Sequence, residues 1–146
     1  SELEGLAEKV FNARILPRID EAVVARLVQA SREGEGVMIA SSSFGIILAP
    51  LARHLGITEV VATELGFEAG LATGRVLGEA AFSEGKRSRI LAYLKARGIE
   101  PADCAFYSDS WHDLPLLRAV GKPVAVNPDR ILRKEALKAG WEILRT

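Results

Sequence analysis

The sequence has 146 residues, of which 49% are hydrophobic and 26% charged, as is typical of a single soluble globular domain with a core of ordinary size. Nineteen basic residues balance nineteen acidic ones, and this zero net charge argues against broad electrostatic binding to nucleic acid or anionic membranes. The chain has no apolar run near the roughly 18 residues of a membrane span, and its first ten residues lack the pattern of a signal peptide. A single cysteine, Cys104, excludes an intrachain disulfide. From these three observations we expect a cytoplasmic protein.

The first part of the chain predicts helices followed by a buried strand. Apolar residues at helical spacing, with breaks at glycines, predict these elements: helices at 2–12 and about 17–33, a strand at 37–40, a polar loop at 41–43 and a helix at 44–55. The strand is apolar throughout, which is typical of a parallel strand covered on both faces. Pro50 inside the last helix is expected to kink it.

The second part of the chain continues the alternation of strands and helices. The predicted elements are a strand at 59–63, a β-hairpin at 64–78, a helix at 85–97, strands at 104–107 and 123–126, a helix at 128–139 with Asn127 as N-cap, and an edge strand at 141–144. This alternation predicts an α/β fold: a three-layer, Rossmann-like, mostly parallel sheet with helices on its faces and a projecting hairpin.

Polar side chains follow two of the predicted strands and begin one of the predicted helices. Ser41 and Ser42 follow the first strand, Lys86 opens a helix, and Asp109 and Asp113 follow strand 104–107. Parallel strands place their carboxyl ends on one side of the sheet, where ligands bind. Hydroxyls and an ammonium at a helix start suit phosphate oxygens, and paired carboxylates suit Mg²⁺, so the pattern indicates a phosphoryl site.

Each of these features also has a purely structural interpretation. The serines are compatible with a polar turn, and Lys86 with a solvated side chain at the start of a helix. Asp109 and Asp113 are equally compatible with helix capping, because Asp is a favoured N-cap residue. The order of these features along the chain, more than any one of them, favours the phosphoryl site.

That order resembles the haloacid dehalogenase superfamily, in its phosphoserine-phosphatase-like branch (subfamily IB type), over residues 20–144. The matching motifs are IASSSF at 39–44, GKRSRIL at 85–91 and SDSWHD at 108–113. The resemblance implies that Ser41, with Ser42, binds the phosphoryl group and that Lys86 stabilises phosphate and nucleophile. It further implies that Asp109 binds Mg²⁺ with Asp113 in support. The expected activity is Mg²⁺-dependent hydrolysis of a small phosphorylated metabolite through a phosphoaspartyl intermediate.

Some residues depart from the family pattern. Ser108 stands where the family usually has glycine, and Trp111 and His112 occupy positions that are often small or amide-bearing. We expect His112 to be a surface residue or a group behind the site, and His54 to be structural or solvated.

The family's first motif, Asp-x-Asp, is not found in these residues. The sequence contains five aspartates, and no two of them are separated by one residue. We therefore expect the nucleophile to lie outside this chain and the chain alone to be inactive. In this interpretation residues 1–33 are the end of a helical cap and the returning helix, and residues 34–146 are a core domain without its first strand.

The absent strand has a predicted place and a predicted substitute. The resemblance places it between strands 37–40 and 104–107, so we expect a slot about two strand spacings wide, roughly 9–10 Å. An amino-terminal segment or a second chain would fill this slot. The alternative function is a non-catalytic anion- or nucleotide-binding α/β module that acts through a partner. A dinucleotide-binding enzyme is disfavoured, because no G-x-G-x-x-G follows a strand.

Overall fold

The computed structural model of the chain describes residues 1–146. The chain forms two compact units, Ser1–Ala80 and Ala81–Thr146. None of its helices is long and apolar enough to cross a membrane.

The first unit combines three helices with a mixed three-stranded sheet. Its elements are α1 (Glu2–Val10), a π-helical turn (Phe11–Ile15), a 3₁₀ turn (Leu16–Arg18), α2 (Glu21–Arg32), β1 (Met38–Phe44), α3 (Gly45–Leu55), β2 (Glu59–Glu68) and β3 (Leu71–Leu77). The strand order is β1-β2-β3, with β1 parallel to β2 and β2 antiparallel to β3. The predicted helices, strands and hairpin are therefore present, although β2 runs without a break from the parallel pairing into the hairpin.

The hairpin turns at two residues. Ala69 and Gly70 both have positive φ, 50° and 79°, as the commonest two-residue hairpin turn requires. The twist of this turn matches that of the flanking strands, so β3 follows β2 directly.

The predicted loop at 41–43 is wrong, because these serines belong to β1. Ala40 pairs with Val61 and Phe44 with Thr63, so three serines on β1 face one residue on β2 as an irregular bulge. Two hydrogen bonds hold the bulge: the Ser43 N–H donates to Ser41 Oγ at 3.1 Å, and Thr63 Oγ1 donates to the Ser42 carbonyl at 2.9 Å. These local side-chain bonds let the strand continue where sequence patterning indicates a turn.

The helices of this unit differ in how well they are buried. Helix α1 packs against α3. The buried residues in and around this contact are Ala7, Phe11, Leu48 and Ala52. Pro50 is also buried, inside α3. Helix α2, capped by the Asp20 carboxylate, buries none of its residues completely. His54 is exposed, and its ring lies 5.5 Å from that of Phe11.

The second unit is a parallel three-stranded sheet with helices. Its elements are α4 (Glu84–Ala96), a 3₁₀ turn (Pro101–Asp103), β4 (Ala105–Ser108), a 3₁₀ turn (Trp111–Asp113), α5 (Leu114–Leu117), β5 (Lys122–Val126), α6 (Arg130–Ala139) and β6 (Glu142–Leu144). The order is β4-β5-β6, and both pairings are parallel. This confirms the predicted strands and the edge position of the last one.

A small apolar core joins α5 and α6 to the sheet. It consists of Leu114, Leu117, Ala125, Leu132 and Ala136, with Phe106, Trp141 and Ile143 packed against it. Because α5 directly follows the turn after β4, this packing fixes the position of that turn.

The predicted cap of the last helix is wrong by two residues. Asp129, not Asn127, is the N-cap of α6, and its carboxylate accepts a hydrogen bond from the Leu132 N–H at 2.8 Å. Asn127 has a positive φ of 41°, and its side chain bonds Thr146 instead. The Asn127 side chain, which the sequence predicted to cap the helix, is therefore bonded to the C-terminal residue Thr146 instead.

Strands β1 and β4 each pair on one edge only. β1 is the first strand of its sheet and pairs with β2, while β4 is the first strand of the other sheet and pairs with β5. This confirms β2 as the neighbour of β1 and β5 as the neighbour of β4. The strand expected between β1 and β4, its slot and the domain boundary at residue 33 stay predictions.

Candidate active site

A buried network of three side chains lies at the carboxyl end of β4. Lys86 Nζ donates to Asp113 Oδ1 at 2.6 Å, and Ser108 Oγ donates to Asp113 Oδ2 at 2.6 Å. The side chains of Lys86 and Asp113 are only 8% and 11% exposed. Lys86 is the third residue of α4, Ser108 ends β4 and Asp113 ends the turn after it, so the network joins three elements.

The network fixes a positive group in place. Both Asp113 oxygens accept a hydrogen bond, and the ion pair gives Lys86 a partner for its buried charge. A lysine ammonium has three donors, and this one uses a single donor on Asp113, which leaves two for an anion. Ser108, which replaces the family's usual glycine, therefore adds a bond that orients the Asp113 carboxylate.

Asp109 has very different surroundings. It follows β4 directly, its side chain is exposed, and its carboxylate makes no hydrogen bond or ion pair. Its backbone carbonyl accepts the Asp129 N–H at 2.9 Å. A free carboxylate at the end of a parallel strand is available to a cation.

The capping interpretation is wrong for the side chains of Asp109 and Asp113, although Asp113 stands at the N-cap position of α5. Ser110 is the N-cap of the turn after β4, and its Oγ accepts the His112 N–H at 3.3 Å. Asp113 precedes α5 but makes no side-chain capping bond to it. Asp109 therefore keeps a free carboxylate, whereas that of Asp113 is engaged by Lys86 and Ser108.

Asp129 holds the loop that carries these residues, a role that sequence reasoning missed. Its Oδ2 accepts the Trp111 N–H at 2.6 Å while its Oδ1 accepts that of Leu132, so one carboxylate ties the loop after β4 to α6. Partial burial raises the pKa of Asp129, but hydrogen bonds from the backbone N–H groups of Leu132, Trp111 and Ile131 outweigh it and hold this pKa below its usual value. The Asn-Pro-Asp sequence was a visible signal for this residue.

The two predicted serines lie in the first unit. Ser41 is half-buried with its Oγ turned to the Ser43 N–H, and Ser42 is exposed. The structure brings Lys86, Ser108 and Asp113 together in the second unit, with Asp109 four residues before Asp113. The arrangement of Ser41 and Ser42 around the same ligand stays a prediction.

Asp109 fits one ligand position of a magnesium site. No group of three or more His, Cys, Asp or Glu side chains gathers in the chain. Mg²⁺ is commonly held by one or two carboxylates together with water and substrate phosphate oxygens, so a single free carboxylate is compatible with it. Asp113 is better suited to supporting the site through Lys86, since both of its oxygens are already engaged.

Comparison with known sequences gives the family. The haloacid dehalogenase-like hydrolase family matches residues 1–118. The chain is 40% identical over 149 aligned positions to a histidinol-phosphatase of Neisseria meningitidis, covering 97% of this chain and 67% of that protein. It is 32% identical to a phosphoserine phosphatase of Mycobacterium tuberculosis, covering 98% of this chain but only 46% of that protein.

Solved structures agree with the sequence comparison. A Bordetella pertussis protein of unknown function has a TM-score of 0.90 at 32% identity, with 98% of this chain and 66% of that chain covered. A substrate-bound phosphoserine phosphatase, at 22% identity and a TM-score of 0.66, shares the fold over 83% of this chain and 56% of its own. The chain thus spans about half to two thirds of the length of these relatives. It belongs to the haloacid dehalogenase-like hydrolases and has their α/β fold.

Proposed function

We propose that this haloacid dehalogenase-like hydrolase is, as the full-length protein, a Mg²⁺-dependent phosphomonoesterase of the phosphoserine-phosphatase-like type. The observation that carries the proposal is the buried Lys86–Asp113 pair at the end of β4. A fixed ammonium at this place stabilises the negative charge of a transferring phosphoryl group, and positioning and charge stabilisation dominate such reactions.

Each residue of the site has a proposed role. Lys86 binds the phosphoryl oxygens with its two remaining donors, and Asp113 and Ser108 keep its ammonium in place. Asp109 would hold Mg²⁺, which would supply further positive charge to the site. Ser41 donates its hydroxyl hydrogen to the phosphoryl group, because its Oγ is an acceptor in the bond to Ser43 and its own hydrogen is left over. Ser42 assists in phosphate binding.

The nucleophile is proposed to come from outside these residues. A phosphoaspartyl route needs an aspartate that attacks the phosphorus and expels the alcohol, and a second acidic group that protonates the leaving oxygen. No two aspartates of this sequence have the Asp-x-Asp spacing. We propose that the segment bearing this motif also supplies the strand between β1 and β4, either from the same protein or from a second chain.

The substrate is proposed to be a small phosphorylated metabolite. Two relatives are named for such substrates, histidinol phosphate and phosphoserine. Both are phosphate monoesters of amino alcohols, so both are suitable first assays. The cytoplasmic location expected from the composition stays a prediction.

The first test removes the Lys86 ammonium from the full-length protein. Lys86→Ala is expected to lower kcat for p-nitrophenyl phosphate with Mg²⁺ by at least ~100-fold, the effect of losing one transition-state contact. Lys95→Ala is the matched control, because Lys95 is exposed near the other end of α4. Near-normal activity of Lys86→Ala would show that the phosphoryl group binds elsewhere.

A second variant separates catalysis from folding. Lys86→Ala leaves the buried Asp113 carboxylate without its partner, at a cost of about 3–5 kcal/mol of stability. The double variant Lys86→Ala/Asp113→Asn removes that buried charge and is expected to fold better while remaining as inactive. If the full-length wild-type protein binds phosphate but hydrolyses no monoester, the non-catalytic binding module replaces the phosphatase.

A further inference from the structure

Three aromatic rings form an exposed cluster in the second unit. The His112 ring centroid lies 4.7 Å from that of Phe82 and 4.0 Å from that of Trp111, with the rings tilted by 47° and 32°. Phe82 is 50% exposed and Trp111 is 43% exposed. Phe82, Trp111 and His112 are called the aromatic cluster here.

The cluster adjoins the Lys86–Asp113 pair. Phe82 lies two residues before α4 and four before Lys86, and His112 directly precedes Asp113. Helix α4 also packs against the 3₁₀ turn that contains Trp111 and His112. Lys86 and Asp113 are bonded to each other, and the three rings lie on the two segments that this bond joins. An aromatic surface therefore borders the proposed phosphoryl site.

Phe82 and Trp111 keep about half of their surface exposed, although their rings contact that of His112. Aromatic side chains bury 150–250 Å² each in typical cores, so half-exposed rings retain a large unburied area. Their backbone is nevertheless held firmly: the Trp111 N–H is bonded to Asp129, and the His112 N–H to Ser110. A fixed, ring-bearing surface next to an anion site has the form of a binding platform.

We propose that the aromatic cluster selects phosphate monoesters whose leaving group carries a planar aromatic or heteroaromatic ring close to the ester oxygen. The ligand's phosphate would bind at Lys86, and its ring would stack on Trp111 and Phe82. This inference rests on the proposed phosphatase function. It makes Trp111 and Phe82 specificity-determining residues, and it favours ring-bearing substrates over short aliphatic ones such as phosphoserine.

Stacking explains why an aromatic ring fits better than an aliphatic one. Offset or tilted aromatic pairs gain energy beyond the area they bury, and stacking on exposed side chains tolerates many ring types. A serine-like leaving group has no face to stack and gains little from this surface. The cluster thus distinguishes leaving groups by planarity.

The test compares two substrates of nearly equal size and reactivity in the full-length protein. Benzyl phosphate and cyclohexylmethyl phosphate both release a primary alcohol, but only the first has a planar ring. The readout is the ratio of their kcat/KM values, in which general losses of activity cancel. Trp111→Ala and Phe82→Ala are compared with Trp111→Phe, which keeps a ring, and with Leu137→Ala, an exposed apolar control in α6 that is 64% exposed.

The expected result is a shift of that ratio. Wild-type protein and Leu137→Ala should prefer benzyl phosphate, Trp111→Ala should lower the preference ~10-fold, and Trp111→Phe should retain most of it. An unchanged ratio in both alanine variants, including equal losses on both substrates, would overturn the proposal.

A binding measurement covers the case in which the wild-type protein hydrolyses no phosphate, so that the proposed function fails. Benzyl phosphate is then titrated while tryptophan emission is recorded. A saturable change that is much weaker in Trp111→Phe would support the platform as a ligand site, and no change in the wild-type protein would overturn it.

Discussion

Two aspartates four residues apart have opposite surroundings, and this difference predicts different roles for them. Asp113 is buried and both of its oxygens are bonded, whereas the carboxylate of Asp109 is exposed and free. Sequence reasoning placed both at a metal. The structure gives a physical reason for ranking them, since a carboxylate that is already satisfied gains less from a cation.

The ranking can be measured as Mg²⁺ affinity of the full-length protein. Asp109→Asn is expected to weaken Mg²⁺ binding at least ~10-fold, the lower end of effects seen when groups at a metal site are changed. Asp113→Asn should weaken it less and should mainly lower kcat by loosening Lys86. Calorimetric titration of both variants checks this, and the reverse order of affinities would exchange their roles.

Asp129 acts on the site through the backbone. Its carboxylate caps α6 and holds the Trp111 N–H, and its lowered pKa means that the folded state favours the ionised form. A group with a depressed folded pKa contributes stability above its unfolded pKa, near 3.9 for Asp, and that contribution is lost as pH falls through the folded value.

Asp129→Ala is therefore expected to lower stability by about 1 kcal/mol at pH 7, the typical value of an N-cap. Its urea midpoint should also fall less steeply than that of the wild type as pH drops below about 4. Asp103→Ala is the matched control, because that carboxylate is exposed and makes no hydrogen bond. If the urea midpoints of Asp129→Ala and the wild type fall in parallel as pH drops, the Asp129 carboxylate is not the group through which pH affects stability.

At the scale of elements, hydrophobic patterning predicted the strands and helices well. The apolar runs at 104–107 and 123–126 form strands β4 and β5. Ala125 of β5 belongs to the apolar core that α5 and α6 share with the sheet, and Phe106 of β4 packs against it. The failures came where side chains bond the backbone: the serines extend β1 through a bulge, and Asp129 outcompetes Asn127 as cap. Such bonds depend on residues distant in sequence, Thr63 and Thr146, and the spacing of apolar residues along the chain gives no information about them.

The candidate site could be predicted in part. The order of motifs pointed to Lys86, Asp109 and Asp113, and the structure brings Lys86 and Asp113 into contact, while the roles of all three stay predictions. The bond of Ser108 to Asp113 and the contacts of Asp129 could not be predicted, since they depend on the geometry of the turn after β4.

The start of β5 depends on a close approach at Gly121. An added Cβ there would lie 1.7 Å from the Ala102 carbonyl oxygen and 2.6 Å from its carbon, and the Gly121 N–H donates to the Pro101 carbonyl at 3.0 Å. The 3₁₀ turn before β4 and the turn before β5 are thereby held together. Only glycine permits this contact without a backbone shift.

Gly121→Ala is expected to destabilise the full-length protein by at least about 2 kcal/mol, as overpacking against backbone does. Gly5→Ala is the control, because Gly5 lies inside α1 with no atom within 4 Å of an added Cβ. That change should stabilise by roughly 0.5–1 kcal/mol through helix propensity. Urea unfolding of both variants tests the prediction, which fails if their midpoints move together.

At the scale of the whole molecule, the two sheets share one property. Each begins with a strand, β1 or β4, that pairs with a neighbouring strand of its sheet on one edge only. Several residues of these strands are only half-buried, including Met38, Ile39 and Phe106. The proposed strand with the Asp-x-Asp motif would satisfy both edges and bring the nucleophile to Lys86.

The most direct test is the rate of p-nitrophenyl phosphate hydrolysis with Mg²⁺, measured for the 146-residue chain and for the full-length protein. The account predicts turnover by the full-length protein and none above background by the chain alone, because no two aspartates in it have the Asp-x-Asp spacing that the phosphoaspartyl route uses. Turnover by the chain alone that is abolished by Asp109→Asn would contradict the account, since the nucleophile would then lie within these residues.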